Sequence, residues 1–120
     1  MLQFCYNQLT GSIPTQLGSL KKLNVLALQS NQLTGAIPAS LGDLGTLIRL
    51  DLSFNRLFGS IPTKLADSPL LEVLDIRNNS LSGNVPLGNH LFIISLVDIQ
   101  LDLMTKNELH LIFSLVCSSP

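Results

Sequence analysis

Few residues in this chain are of a type that does chemistry, and their spacing argues against catalysis. The two histidines, His90 and His110, stand outside the regular part of the sequence. No GxSxG, HExxH or glycine-rich phosphate loop accompanies them. The two cysteines, Cys5 and Cys117, lie at opposite ends without metal-ligand spacing and are expected to be free thiols. No enzymatic activity, cofactor or metal is therefore expected. What remains is the chemistry of recognition. Tyr6 and Phe54 offer aromatic area, Gln29 and Ser53 offer hydrogen-bonding groups, and Arg49, Asp51, Asp75 and Arg77 offer charge. These residues share phases of one period: Asp75 stands one repeat after Asp51, and Gln29, Ser53 and Arg77 occupy one phase in successive repeats. Two readings of the four charged residues stand side by side, contacts for a partner or a solvated patch paired within itself.

The element that positions them is the stretch 47–62, LIRLDLSFNRLFGSIP. Residues 23–38 read LNVLALQSNQLTGAIP and residues 71–86 read LEVLDIRNNSLSGNVP, each a copy displaced by 24. Leu2, Phe4, Asn7, Leu9, Gly11, Ile13 and Pro14 hold the same phases in a partial copy at the start. A fixed period of this length marks a solenoid, whose units bury their apolar side only against their neighbours. Leu26 and Leu28, Leu50 and Leu52, and Leu74 and Ile76 are each separated by one residue, which is strand spacing. Short parallel strands are predicted near 2–4, 25–28, 49–52 and 73–76. The alternation turns Arg49, Asp51 and Ser53 outward. Four outward columns follow: Gln3–Ala27–Asp51–Asp75, Cys5–Gln29–Ser53–Arg77, Tyr6–Ser30–Phe54–Asn78 and Val25–Arg49–Val73.

Asn7, Asn31, Asn55 and Asn79 follow the strands at one phase. Where a strand ends, backbone groups lose their ladder partners, and an asparagine side chain carries both a donor and an acceptor to replace them. A structural asparagine ladder is expected, bonding its own turn and the next coil. Gly11, Gly35, Gly59 and Gly83 then supply a bend. Ile13–Pro14, Ile37–Pro38, Ile61–Pro62 and Val85–Pro86 supply a short extended segment. Residues 39–44 and 63–66 are predicted helical turns, with Leu17, Leu41 and Leu65 filling the core from that side.

The pattern LxxLxLxxNxLxGxIPxxLxxL resembles the plant-type leucine-rich repeat, as in the extracellular arrays of plant receptor-like kinases and receptor-like proteins. The resemblance covers residues 1–86. It implies an α/β solenoid with a short parallel sheet on the concave side, irregular, 3-10 or helical turns on the convex side, and a second short strand around the Gly-x-Ile-Pro segment. It also implies an extracellular or cell-surface protein that binds a protein or peptide ligand through the concave face. A secreted inhibitor of a cell-wall-degrading enzyme, similar to polygalacturonase inhibitors, is the alternative, and a truncated product without function is a third. The partner-binding candidates are Tyr6, Gln29, Arg49, Asp51, Ser53, Phe54, Asp75 and Arg77. Phe54→Ala with Arg77→Ala is expected to weaken binding without unfolding. In Asn78–Asn79–Ser80, Asn78 is a glycosylation acceptor if the protein is secreted.

Repeats are expected at 23–46, 47–70 and 71–86 after the partial first one. Residues 87–120 break the rule: Asn89 and Ser95 stand near where leucines would recur, and the family's cysteine-paired caps are missing. This tail is expected either to lie over the last repeat, as a helix or an added strand, or to be aberrant sequence with little structure. Alternation at Val97, Ile99, Leu101 and Leu103 favours a strand. Apolar clusters at 91–97 and 109–117 each fall short of the roughly 20 residues that span a bilayer. The opening residues have no basic region before an apolar core and do not read as a signal peptide. They begin inside a repeat, which reads as a fragment or a truncated gene product.

Composition sets the remaining bounds. The 120 residues are 46% hydrophobic and 12% charged, with a net charge of −1 and no basic run. Such a composition is not that of a disordered chain, and it leaves no footprint for nucleic acid or an anionic membrane. Four strands about 4.8 Å apart, each showing about four residues, expose on the order of 200 Å² of sheet face. A stable interface needs roughly 800 Å² per partner. Tight binding by that face alone therefore requires further repeats, the lateral edges or a second copy.

Overall fold

The computed structural model describes residues 1–83 and 92–94. Each coil begins with a short strand: β1 (Leu2–Gln3), β3 (Val25–Ala27), β5 (Arg49–Asp51) and β7 (Val73–Asp75). They pair in parallel and in sequence order, with β9 (Phe92–Ile94) added beside β7. Leu2, Leu26, Leu50 and Leu74 are Cα partners across the sheet, so the period of the sequence is the register itself. The strands end a residue earlier than the spacing predicts. The ladder nevertheless continues through Phe4 N–H to Ala27 O, Leu28 N–H to Asp51 O and Leu52 N–H to Asp75 O, at 2.8–2.9 Å.

The opposite side of each coil turns at a proline. Pro14, Pro38 and Pro62 hold φ at −64°, −65° and −60°, the value the pyrrolidine ring imposes. Each precedes a single helical turn: 3-10 at Thr15–Ser19 and Ala39–Asp43, and α1 at Thr63–Ala66. These turns stack closely. A Cβ built on Gly42 would stand 2.6 Å from the Lys64 Cβ, and one on Gly18 would stand 2.5 Å from Ser40 O. The core lies between sheet and turns. Leu26, Leu50 and Leu74 enter from the strands and Leu41 and Leu65 from the turns, all fully buried. Leu17 is half-buried. Phe4, Leu9 and Leu20 are exposed at the end face of the first coil, whereas Leu28, Leu33 and Leu44 at the same phases are buried. Burial in a solenoid is thus a property of neighbouring coils and not of one coil alone.

Small lateral sheets join the flanks. β2 (Thr10–Ser12) pairs with β4 (Gln32–Thr34), and β6 (Phe58–Gly59) with β8 (Ser80–Leu81), all parallel. β2 and β6 include the glycine that opens the Gly-x-Ile-Pro segment, whereas β4 and β8 end one or two residues before it. Gly59 has φ +85°, and Gly11, Gly35 and Gly83 lie at +82°, +82° and +84°. Only glycine takes that conformation freely.

The asparagines form the expected ladder, and its cross-coil bonds run to the preceding coil. Asn31 Nδ2 donates to Leu28 O and Gln29 O in its own coil, at 3.0 and 3.3 Å. It also donates to Phe4 O at 2.9 Å, and Asn31 Oδ1 accepts from Leu9 N–H at 3.1 Å, both one coil back. Asn55 and Asn79 repeat the pattern. Asn7 donates only within its own coil, to Phe4 O and Cys5 O. Asn31 and Asn55 are buried, Asn79 half-buried and Asn7 exposed.

Val85–Pro86, His90, His110, Cys117 and the alternating segment 97–103 lie outside the described residues. The strand contributed by the non-repeat segment is β9, at Phe92–Ile94.

Candidate binding face

Outward side chains of the sheet have neighbours about 4.8 Å away on the adjoining strands. Polar residues there turn onto one another. Arg77 donates from Nε to Asp75 Oδ1 at 3.0 Å and from Nη2 to Asp75 Oδ2 at 2.8 Å. Ser53 donates to Asp51 Oδ1 twice, from Oγ at 2.7 Å and from its backbone N–H at 3.0 Å. Asp75 is fully buried and Asp51 is 2% exposed. Burial above all, then the negative charge of Asp75, pushes the Asp51 carboxyl up to about 7, against the opposing pull of the Ser53 hydrogen bonds and Arg77.

This geometry corrects part of the sequence reading. Gln29, Asp51, Ser53 and Asp75 face outward in the strand alternation but are buried, so they are no contact surface in this structure. Alternation gives the face of a residue and not its depth. Arg77 cannot be removed without consequence either. Its guanidinium neutralises a carboxylate that has no access to water, and breaking such a pair from one side is strongly destabilising. Of the four charged candidates, Asp75 and Arg77 fit the self-paired alternative. Arg49 is half-buried at the start of β5.

Exposure is found at the rim, where the strands leave the sheet. Phe54 is 50% and Tyr6 is 40% exposed, in one column with Ser30 and Asn78 between and beyond them. All four have left-handed backbones, with φ of 55° at Tyr6, 59° at Ser30, 56° at Phe54 and 55° at Asn78. Asparagine enters this region readily, whereas for a bulky side chain it is an outlier. The backbone around Phe54 is fixed from both sides: its N–H donates to Arg77 O at 2.8 Å, and its C=O accepts from Asn31 N–H at 3.2 Å. Two steps of about 4.8 Å place Tyr6 and Phe54 about 10 Å apart along the rim.

Phe58, further along the same coil, is 55% exposed and was missed by the sequence reading. Its signal was present: Thr10, Thr34 and Ser82 at the same phase are small and polar, and the aromatic departs from them.

Cys5 also departs from expectation, because it is disulfide-bonded and not a free thiol. The chain's other cysteine, Cys117, lies outside the described residues. Among the described residues no group of three or more His, Cys, Asp or Glu could hold a metal ion, and no helix is long and apolar enough to cross a membrane.

Sequence profiles described as leucine rich repeat match residues 1–57 and 70–89. The chain belongs to the leucine-rich repeat family. Among curated proteins none matches it. Among solved structures, this leucine-rich repeat chain is similar to the ectodomain of the plant membrane receptor kinase GASSHO1/SCHENGEN3 from Arabidopsis thaliana, in complex with CASPARIAN STRIP INTEGRITY FACTOR 2. The two share 40% identity at a TM-score of 0.75, over 81% of this chain and 12% of that one. A chain of the BIR3–SERK2 complex from Arabidopsis thaliana has 38% identity and a TM-score of 0.70, over 78% of this chain and 53% of that one. The Arabidopsis receptor kinase HAESA, in complex with the peptide hormone IDA and the co-receptor SERK1, has 42% identity and a TM-score of 0.68, over 71% and 14%. The leucine-rich repeat chain thus spans between about an eighth and a half of these relatives.

Proposed function

We propose that this chain is a stretch of the ligand-recognising ectodomain of a plant receptor-like protein, a binding module outside the cell with no catalysis of its own. The observation that carries this reading is the pair of exposed aromatics, Tyr6 and Phe54, on left-handed backbone at one rim of the concave sheet. A backbone outlier on a bulky residue costs about 1–2 kcal/mol, and such outliers collect at functional sites. Exposed aromatics are also the residues that most often anchor interfaces. The partner is a protein or peptide, contacted along Tyr6, Ser30 and Phe54 and out to Phe58. The likeness to GASSHO1/SCHENGEN3 and HAESA, both solved with peptide or protein ligands, supports that class of partner. A disulfide at Cys5 fits an oxidising compartment, and Asn78, exposed at the far end of the rim, is the glycan acceptor expected there. With a sheet face on the order of 200 Å², these coils supply part of a larger contact surface.

Binding of the secreted chain to a panel of secreted plant peptides and receptor ectodomains tests the reading. Tyr6→Ser with Phe54→Asn is expected to abolish any interaction found while leaving the melting temperature intact. Equal binding by the double variant would remove the rim from the site. Inhibition of a polygalacturonase by the chain would favour the inhibitor alternative.

A further inference from the structure

Asp51 and Asp75 are Cα partners on the adjacent strands β5 and β7, both on the outward side and both buried. Their surroundings are unequal. The Arg77 guanidinium is committed to Asp75 through two hydrogen bonds, whereas Asp51 has the neutral donors of Ser53, both on its Oδ1. On β5 itself the nearest charge is Arg49, at the start of the strand, and on β7 the charged residues are Asp75 and Arg77. On the other side, β3 presents Val25, Ala27 and, just past its end, Gln29, none of them ionisable. β9, beyond β7, consists of Phe92, Ile93 and Ile94. Two carboxylates that share a buried site repel each other strongly, because little water screens them.

A second observation is an acceptor on the same face. Gln29 Oε1 is buried and accepts no hydrogen bond. Gln29 lies diagonally across from Asp51 on the same face of the adjacent coil, at a spacing that a long side chain can bridge. An ionised Asp51 adds another acceptor on that face, whereas a neutral Asp51 carries an O–H that can donate.

We propose that the Asp51–Asp75 pair holds one proton in the folded array, so that the leucine-rich repeat stack is tightened by acidification. The proton resides on Asp51, since Arg77 keeps Asp75 paired. The direction follows from linkage. Asp51 titrates near 7 when folded and near 3.8 when unfolded. Between those values the folded state binds more protons, so stability falls as pH rises and levels off above about 7. The device is independent of ligand recognition at the rim.

Unfolding of the whole chain in urea, without reductant, at pH 5, 6, 7 and 8 tests this. The folding equilibrium constant is expected to fall by up to about tenfold per pH unit between 5 and 7 and to flatten above. Asp51→Asn should abolish that slope. Histidines titrate near 6.5, and a slope due to His90 or His110 would survive in Asp51→Asn. Asp75→Asn removes the repelling charge, so the slope should move to lower pH. This second variant decides the matter if Asp51→Asn does not fold. A flat profile for the unmodified chain, or an unchanged slope in either variant, overturns the proposal.

Discussion

Asn55 ties two coils together through Leu33. Its Oδ1 accepts the Leu33 backbone N–H at 3.1 Å, one coil back, while its Nδ2 reaches Leu28 O, Leu52 O and Ser53 O at 3.0, 3.0 and 3.2 Å. One side chain thereby bonds four backbone groups around the end of the strand, of which Ser53 O also accepts the Ser30 N–H at 3.0 Å.

Asn55→Ala should therefore be severe. It strands several buried backbone groups, each costing about 1–3 kcal/mol when its partner is removed, and a total loss of about 3–4 kcal/mol is expected in urea unfolding. Asn7→Ala provides the contrast. Asn7 is exposed and bonds only its own coil, so the loss should be no more than about 1 kcal/mol.

Gly42 and Gly45 should respond differently to the same methyl group. At Gly42 the new Cβ would meet Lys64 at 2.6 Å and push the stacked turns apart, while at Gly45 nothing stands within 4 Å. Gly42→Ala is expected to lower stability by about 1–3 kcal/mol. Gly45→Ala should stay within about 0.5 kcal/mol of the parent or rise slightly. Thermal melting of the two single variants distinguishes the positions.

Much of this architecture was legible because one period does many things at once. The constant spacing of Leu26, Leu50 and Leu74 fixes the sheet register, the phase of the asparagine ladder and the bend at each glycine together. The period says nothing about what differs between coils. Asp51 and Asp75 read as surface charge because alternation assigns a face and not a depth, whereas both are buried and hydrogen-bonded, to Ser53 and Arg77 respectively. The left-handed turn at Phe54 was illegible because tyrosine, serine and phenylalanine fill three of its four positions. Asn78 alone is a residue that announces that conformation. An added strand was among the alternatives for the tail, but its position could not be read, since Phe92 pairs with Val73, where the period would have put Val97. The disulfide at Cys5 could not be read either, because spacing along the sequence does not report proximity in space.

Phe54 occupies a backbone position that its neighbour Asn78 occupies more easily, and it spends half its surface in water. If contact with a partner is what keeps it there, stability and affinity must respond in opposite directions to its replacement. The most direct measurement is Phe54→Asn, read by melting and by binding to the same partner. The melting temperature should hold or rise, corresponding to a gain of up to about 1 kcal/mol, while affinity should fall at least about tenfold, as for a loss of about 1.4 kcal/mol or more at an interface anchor. Unchanged affinity, or a loss of stability without a loss of binding, would contradict the account.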